Sequence, residues 1–454
     1  MATEQSELVR SVPELVSELP GPRAREHIDF DHRWTSPSLP RAYPIVPVRG
    51  EGAVLEDIDG NRFLDFAAGI AVNSTGHAHP RIVAAIARQA AELIHFSASD
   101  FYLPIYAQAA AELARIAPLR GPAKVFFGNS GAEVVEAAIK LARHHTGRPN
   151  LIAFLGAFHG RTYGALSLTA SRAKYHDGFG PLLPGVYHVP FGSAGLDELE
   201  GRVFKRLMPA DEFAAVFVEP IQGEGGYVVP DDEFLPRLRR ICDEHGILLV
   251  ADEVQSGAGR TGRMWAIQHW GVEPDILLTA KGIASGMPVA GMVARAEVMD
   301  WLPGAHGSTY GGNPVALAAL LETIRLLEEG LVANAAVRGE EALDELRCLT
   351  DRFPGLIREV RGKGLMIGIQ FAHPELAEAT QMAAFRRGLL VLEAGDDCVR
   401  MSPPLTVSAA EIETAVRIFC ASVEEVAIDR VGSVQRVHDA AREGLLDEEV
   451  ESAI

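Results

Sequence analysis

The sequence predicts an α/β fold, with a mostly parallel sheet flanked by helices and a smaller second domain of mixed helices and strands. Three observations predict it. The middle of the chain carries six short apolar runs, at residues 125–127, 151–155, 214–218, 247–251, 275–279 and 289–294. Helical patterns separate several of them, as at 132–144 and 234–245. Short apolar runs alternating with helices are buried on both faces, which is the habit of parallel strands. The length, 454 residues, allows a large core and favours more than one domain.

Residues 1–40 are rich in proline and charge and read as an extended arm with one short helix. The stretch 43–66 carries the turn signals Arg49-Gly50-Glu51-Gly52 and Asp59-Gly60-Asn61, which predict a β-meander. An amphipathic helix follows over 81–92, then the alternating region. After Gly311-Gly312-Asn313-Pro314 a helical pattern runs to about residue 329. From there to about residue 426, helices mix with short strands at 364–370, 389–392 and 398–401, which suits the second domain. The last two dozen residues are acidic and helix-prone. No repeat or low-complexity tract interrupts the chain.

Composition narrows the partners. With 61 acidic against 42 basic residues, the formal charge is −19, which repels phosphate backbones and excludes nucleic acid as the expected partner. Cys242, Cys348, Cys398 and Cys420 lie far apart, with no CxxC pair, so neither structural zinc nor a disulfide framework is expected. No run approaches the roughly 18 apolar residues of a membrane span, and the N-terminus lacks a basic start before an apolar stretch. The expectation is a soluble, cytoplasmic protein with no membrane partner.

In open α/β sheets ligands gather beyond the carboxyl ends of the strands. The residues just after each predicted strand are therefore the candidates. Gly128-Asn129-Ser130-Gly131-Ala132-Glu133 opens a helix, and a helix start with a Ser hydroxyl and a close-approach Gly can cradle a phosphate. Gly156-Ala157-Phe158-His159-Gly160-Arg161 offers an aromatic face and a cation on one loop. Glu219-Pro220-Ile221-Gln222-Gly223-Glu224 crowds two carboxylates and an amide into a Gly-rich turn. Asp252 ends a core strand, where a carboxylate is costly without a cationic partner; a protonated pyridine nitrogen would be one. Of the six lysines, only Lys281 follows a core strand on this side. A partly desolvated lysine has a lowered pKa and becomes a usable amine nucleophile.

Two other patterns carry less. Gly257-Ala258-Gly259-Arg260-Thr261-Gly262 fits the dinucleotide fingerprint, but Asp252-Glu253-Val254-Gln255 separates it from the strand. His77 with His79, and His144 with His145, have no cysteine or carboxylate at ligand spacing, so no metal is expected.

Five stretches, taken together, resemble the class III aminotransferases, among them the 4-aminobutyrate, ornithine and acetylornithine enzymes. They are Asn129-Ser130-Gly131-Ala132-Glu133, Phe158-His159-Gly160-Arg161-Thr162, Glu219-Pro220-Ile221-Gln222-Gly223-Glu224-Gly225, Ala251-Asp252-Glu253-Val254-Gln255 and Thr309-Tyr310-Gly311-Gly312-Asn313-Pro314. The resemblance runs from about residue 40 to 425 in the family's order and spacing. Departures are Val134 where many members have Ala, the N-terminal arm and the C-terminal tail.

The resemblance implies fold type I, with a large cofactor domain over 76–315. The small α+β domain would be built from both termini, taking part of 1–75 and all of 316–426, with an acidic helical tail over 427–454. It implies pyridoxal 5'-phosphate held by Lys281 as a Schiff base. Asp252 would pair with the pyridine nitrogen, Phe158 and Val254 would take the two ring faces, and Gln255 the ring hydroxyl. Ser130, Gly131 and Ala132 would hold the phosphate. Thr309 would reach the phosphate of a neighbouring subunit, so a homodimer or higher homo-oligomer with a shared active site is implied. Arg400 matches the family's carboxylate-binding arginine, Arg161 a second one for a distal carboxylate, and Glu224 the gate that closes on the first. The implied reaction is ping-pong transfer of an amino group, preferably the ω-amino group of a 4-aminobutyrate- or ornithine-like donor, to 2-oxoglutarate. The runner-up is an amino-acid racemase or epimerase of the same family, suggested by residues 163–171, with Glu224 as its second acid.

Overall fold

The computed structural model describes residues 12–442, with side chains to residue 430. The large sheet has seven strands: β4 (Ala123–Gly128), β5 (Asn150–Phe154), β6 (Val186–Val189), β7 (Phe213–Val218), β8 (Leu248–Asp252), β9 (Ile276–Thr279) and β10 (Ala290–Arg295). β1 to β3 precede them in the chain and form a separate sheet, described below. In the large sheet the order is β4-β10-β9-β8-β7-β5-β6. Along β8, Leu249 and Ala251 pack into one hydrophobic cluster while Leu248 and Val250 pack into another. Period-2 alternation thus feeds two cores, and helices close both faces.

All pairings in this sheet from β6 through β9 are parallel. β10 runs antiparallel to both β9 and β4. The reason is local: only residues 280–289 join β9 to β10, and a parallel crossover needs a dozen residues or more. Strand β6 gives no apolar run in the sequence because it lies at the sheet edge, with only Val189 buried.

The meander appears as β1 (Pro47–Glu51), β2 (Val54–Asp57) and β3 (Arg62–Asp65). Its first reversal is tighter than the turn signal implied, since Arg49, Gly50 and Glu51 lie within β1. A fourth strand, β13 (Leu389–Leu390), joins β3 in parallel, Leu389 opposite Leu64. The smaller part of the fold thus draws on both ends of the chain. A third sheet, in the order β11-β12-β15-β14, holds β11 (Ile357–Lys363), β12 (Met366–Phe371), β14 (Leu392–Ala394) and β15 (Cys398–Met401).

The helix entered at Pro314 breaks near residue 330, as the pattern predicts, because Gly330 leaves helical geometry with φ at +161°. The first helix covers Pro314–Leu326 with a wide turn over Leu327–Leu331, and a second helix, Val332–Arg352, starts beyond the kink at Gly330. The arm carries the helix Pro22–Trp34. Of the acidic tail expected over 427–454, the part to Arg442 continues the helix Ala409–Arg442, and the rest lies outside the described residues. Among the described residues no helix is long and apolar enough to cross a membrane.

Candidate active site

The carboxyl ends of β4, β5, β7, β8 and β9 converge on a cavity of about 380 Å³, whose walls include Ser130, Gly131, Ala132, Phe158, His159, Glu219, Asp252, Val254, Gln255 and Lys281. Each of these residues follows or ends a core strand, so the parallel sheet itself gathers them.

At one wall the helix Gly131–Thr146 begins. Ser130 caps it: its hydroxyl accepts from the Glu133 N–H at 3.3 Å, and Glu133 accepts from the Ser130 N–H at 3.0 Å. The N–H groups of Gly131 and Ala132 have no preceding helical turn to bond with, so they remain as donors for an anion. Space is tight at Gly131, since a Cβ would lie 3.0 Å from Cγ1 of Val254. Gly223 also lies close to a wall residue, since a Cβ there would lie 2.2 Å from Nε2 of Gln255.

The floor is a buried charge cluster. His159 Nδ1 lies 2.7 Å from Asp252 Oδ2, and both residues are 3% exposed. Burial opposes a charge on the ring, but the hydrogen bond and charge of Asp252, aided by Glu219, override it and raise the His159 pKa. The other ring nitrogen, Nε2, is buried with no partner. Glu219 accepts from the N–H groups of Phe158 and Gly223, each at 3.0 Å. Burial still pushes its carboxyl up to about 7. The sequence places His159 and Glu219 beside candidates but assigns neither a role. The usable signal was the same as for Asp252: a polar residue at the end of a fully buried strand.

Lys281 sits with φ at +44°, in the left-handed region that costs a non-glycine residue about 1 kcal/mol or more. Burial, and then the charge of Arg400, pull its amine down to about 8, against Asp252, Glu219 and Glu224. A sizeable neutral fraction therefore exists near neutral pH.

Arg400, on β15, is 5% exposed. Its Nη1 donates to Glu224 Oε2 at 3.1 Å and to Gln255 Oε1 at 3.4 Å, while Nε has no partner. Gln255 also accepts from the Tyr227 hydroxyl at 3.0 Å. Two predicted residues stand apart. Arg161 is exposed and lies with its guanidinium 4.4 Å from the ring centre of Tyr175. Thr309 is exposed and forms no part of its own chain's cavity. The glycines of 257–262 form a packed turn rather than a nucleotide loop: a Cβ on Gly257 would lie 2.6 Å from the Glu253 carbonyl, and Arg260 is 1% exposed. His77 pairs with Asp65 at 2.7 Å and His145 with Asp300 at 2.7 Å. Among the described residues no group of three or more ligands could hold a metal.

The arrangement fits pyridoxal phosphate. A helix start offers anion donors, a buried and lowered lysine amine faces the cavity, and a buried carboxylate waits on the floor with its own histidine. The comparisons agree. The class-III aminotransferase family profile matches residues 37–423. An acetylornithine aminotransferase from Methanopyrus kandleri is 45% identical, over 87% of this chain and 97% of that protein. An alanine/serine racemase from Pyrococcus horikoshii is 37% identical, over 93% of this chain and 95% of that one. The crystal structure of the ornithine aminotransferase from Toxoplasma gondii superposes with a TM-score of 0.82 at 32% identity, covering 89% of this chain and 96% of that one. With the family matched across most of the chain and the fold shared with solved transaminases, the protein belongs to the class-III aminotransferases and is a pyridoxal-phosphate-dependent transaminase.

Proposed function

We propose that the site moves the terminal amino group of a 4-aminobutyrate- or ornithine-like donor to 2-oxoglutarate by a ping-pong mechanism. The observation that supports a terminal amine is the closed pair of Arg400 and Glu224, at 3.1 Å. With Arg400 neutralised, no free guanidinium waits near Lys281 for an α-carboxylate, and a donor can present its far amine instead. In the return half-reaction Glu224 leaves Arg400, which then takes the carboxylate beside the oxo carbon. Arg161, at the mouth, takes the distal carboxylate.

In this reading Ser130, Gly131 and Ala132 hold the cofactor phosphate. Phe158 and Val254 pack on the ring, and Gln255 hydrogen-bonds the ring hydroxyl. Bound there, pyridoxal phosphate supplies a carbonyl that captures the amine and a ring that accepts the electron pair left by the departing proton. The Lys281 amine, kept partly neutral by burial, would take that proton from the substrate carbon and pass it to the cofactor carbon that captured the amine, so that the nitrogen stays with the cofactor when the oxo product leaves. Asp252 directs negative charge at the ring nitrogen, and His159 fixes the carboxylate in place. The active unit is read as a homodimer or higher homo-oligomer. Thr309 supports this, since it is exposed and outside its own cavity, as a residue serving a neighbour would be.

The test is the donor half-reaction of the purified holoenzyme with no oxo acid present. Addition of 4-aminobutyrate or L-ornithine bleaches the yellow cofactor. Racemisation is the second reading, because Glu224 is a further acid within electrostatic reach of Lys281. If colour persists with both ω-amines while chiral chromatography shows L-alanine becoming its D-form, the ω-transfer reading is wrong.

A further inference from the structure

We infer that Tyr175 couples the two carboxylate sites and so helps to set which substrate the pocket accepts. The inference rests on the reading of Arg400 and Arg161 given above. Tyr175 lies 49 residues before Glu224 in the chain, yet its hydroxyl donates to Glu224 Oε1 at 3.2 Å. The other carboxylate oxygen, Oε2, is the one that accepts from Arg400. Glu224 is therefore held at both oxygens, by the arginine on one side and the phenol on the other. The face of the same phenol ring carries the Arg161 guanidinium at 4.4 Å. Its edge meets Phe158 at 5.8 Å, in a T-shaped contact.

The surrounding backbone is tied to the same gate. Arg172, three residues earlier, donates to the Gly395 carbonyl, and the Gly395 N–H donates to the Glu224 carbonyl at 2.6 Å. The short 3-10 turn Ala173–Tyr175 is thus anchored to the strand region that leads to Arg400. One side chain touches the gate through its hydroxyl and the distal cation through its ring. The hydroxyl favours the closed pair that suits an ω-amine. The ring positions Arg161 for the far carboxylate of the oxo acid.

The two functions separate by substitution, using holoenzyme and each half-reaction by itself. Tyr175→Phe keeps the ring and removes the donor to a charged group, so the 4-aminobutyrate half-reaction falls about tenfold in kcat/KM, while the 2-oxoglutarate half-reaction changes far less. Tyr175→Leu removes the ring as well, and the KM for 2-oxoglutarate rises by about fivefold in addition. Calorimetric binding of glutarate, a dicarboxylate that cannot react, follows the same order: weaker in Tyr175→Leu than in Tyr175→Phe. Equal losses in both half-reactions for both variants, or equal glutarate affinity in the two, would overturn the coupling. A wild-type enzyme that is inert to ω-amines would instead refute the donor assignment, and the glutarate series would still decide the role of the ring.

Discussion

At the floor of the cavity, Asp252, His159 and Glu219 are at most 5% exposed, and each ends or follows a core strand. At its mouth, next to the wall residue Gly160, Arg161 is exposed and rests on the ring of Tyr175. The floor is fixed by burial at the strand ends and by hydrogen bonds among its own groups. The mouth is fixed by single contacts that cost little to exchange. An enzyme that must bind two different substrates in turn gains from this division. In the proposed reading, chemistry common to both stays on rigid elements, and recognition that differs between them stays on groups able to re-pair.

The largest effect expected is at the floor. Lys281→Ala removes the only lysine amine at the strand ends, and transamination should fall by about 10⁴-fold with every substrate. Borohydride reduction of the wild type should leave cofactor bound covalently to the chain by mass spectrometry, and the variant should carry none. Covalent cofactor at another lysine in the variant would break the assignment of the floor.

A mouth substitution should behave differently. Arg161→Lys keeps a charge but loses the planar fork that pairs with both oxygens of a carboxylate. The KM for 2-oxoglutarate should rise by about tenfold, with kcat and the 4-aminobutyrate half-reaction nearly unchanged. If kcat falls as much as KM rises, Arg161 belongs with the floor and the contrast fails.

The same contrast explains what the sequence could convey. The floor was legible because strand ends are legible: fully buried runs such as β7 and β8 announce themselves, and whatever polar residue follows is placed by them. Asp252 and Lys281 were found in that way. His159 and Glu219 obey the same rule, but the aromatic and the second carboxylate beside them drew the functional reading. The antiparallel course of β10 is encoded in its short connection, not in its apolar run. Edge strand β6 was not readable, since three of its four residues are only partly buried. At the mouth nothing local could help. The contact of Tyr175 with Glu224 joins residues far apart in the chain, and no periodicity encodes it. Family resemblance supplied Arg161 and Arg400, but it supplied roles, and the stacking of Arg161 on Tyr175 came only from the fold.

Two neighbouring carboxylates sharpen the comparison with the smallest expected effect. Asp252 and Glu253 are adjacent on the chain and both buried, at 3% and 1% exposure. Asp252 faces His159, whose pKa its hydrogen bond and charge raise against burial. Glu253 accepts only from neutral donors, the Ser256 hydroxyl at 2.6 Å and the Ile267 N–H at 2.7 Å. Burial consequently pushes Glu253 up to about 7 from its ordinary 4.5. The folded chain then keeps a proton that the unfolded chain has released over that window. Between about pH 4.5 and about pH 7 the folded state binds more protons, so stability falls as pH rises. Glu219, also raised to about 7, acts with the same sign. Glu253→Gln keeps a polar group of the same shape beside Ser256 and Ile267 and has no proton to lose. Thermal unfolding of the variant across this window should lose about half of the wild-type decline, on the order of 3 kcal/mol at most. An unchanged slope would mean that Glu253 is already ionised at pH 5, and that Ser256 and Ile267 satisfy a buried carboxylate as well as His159 does.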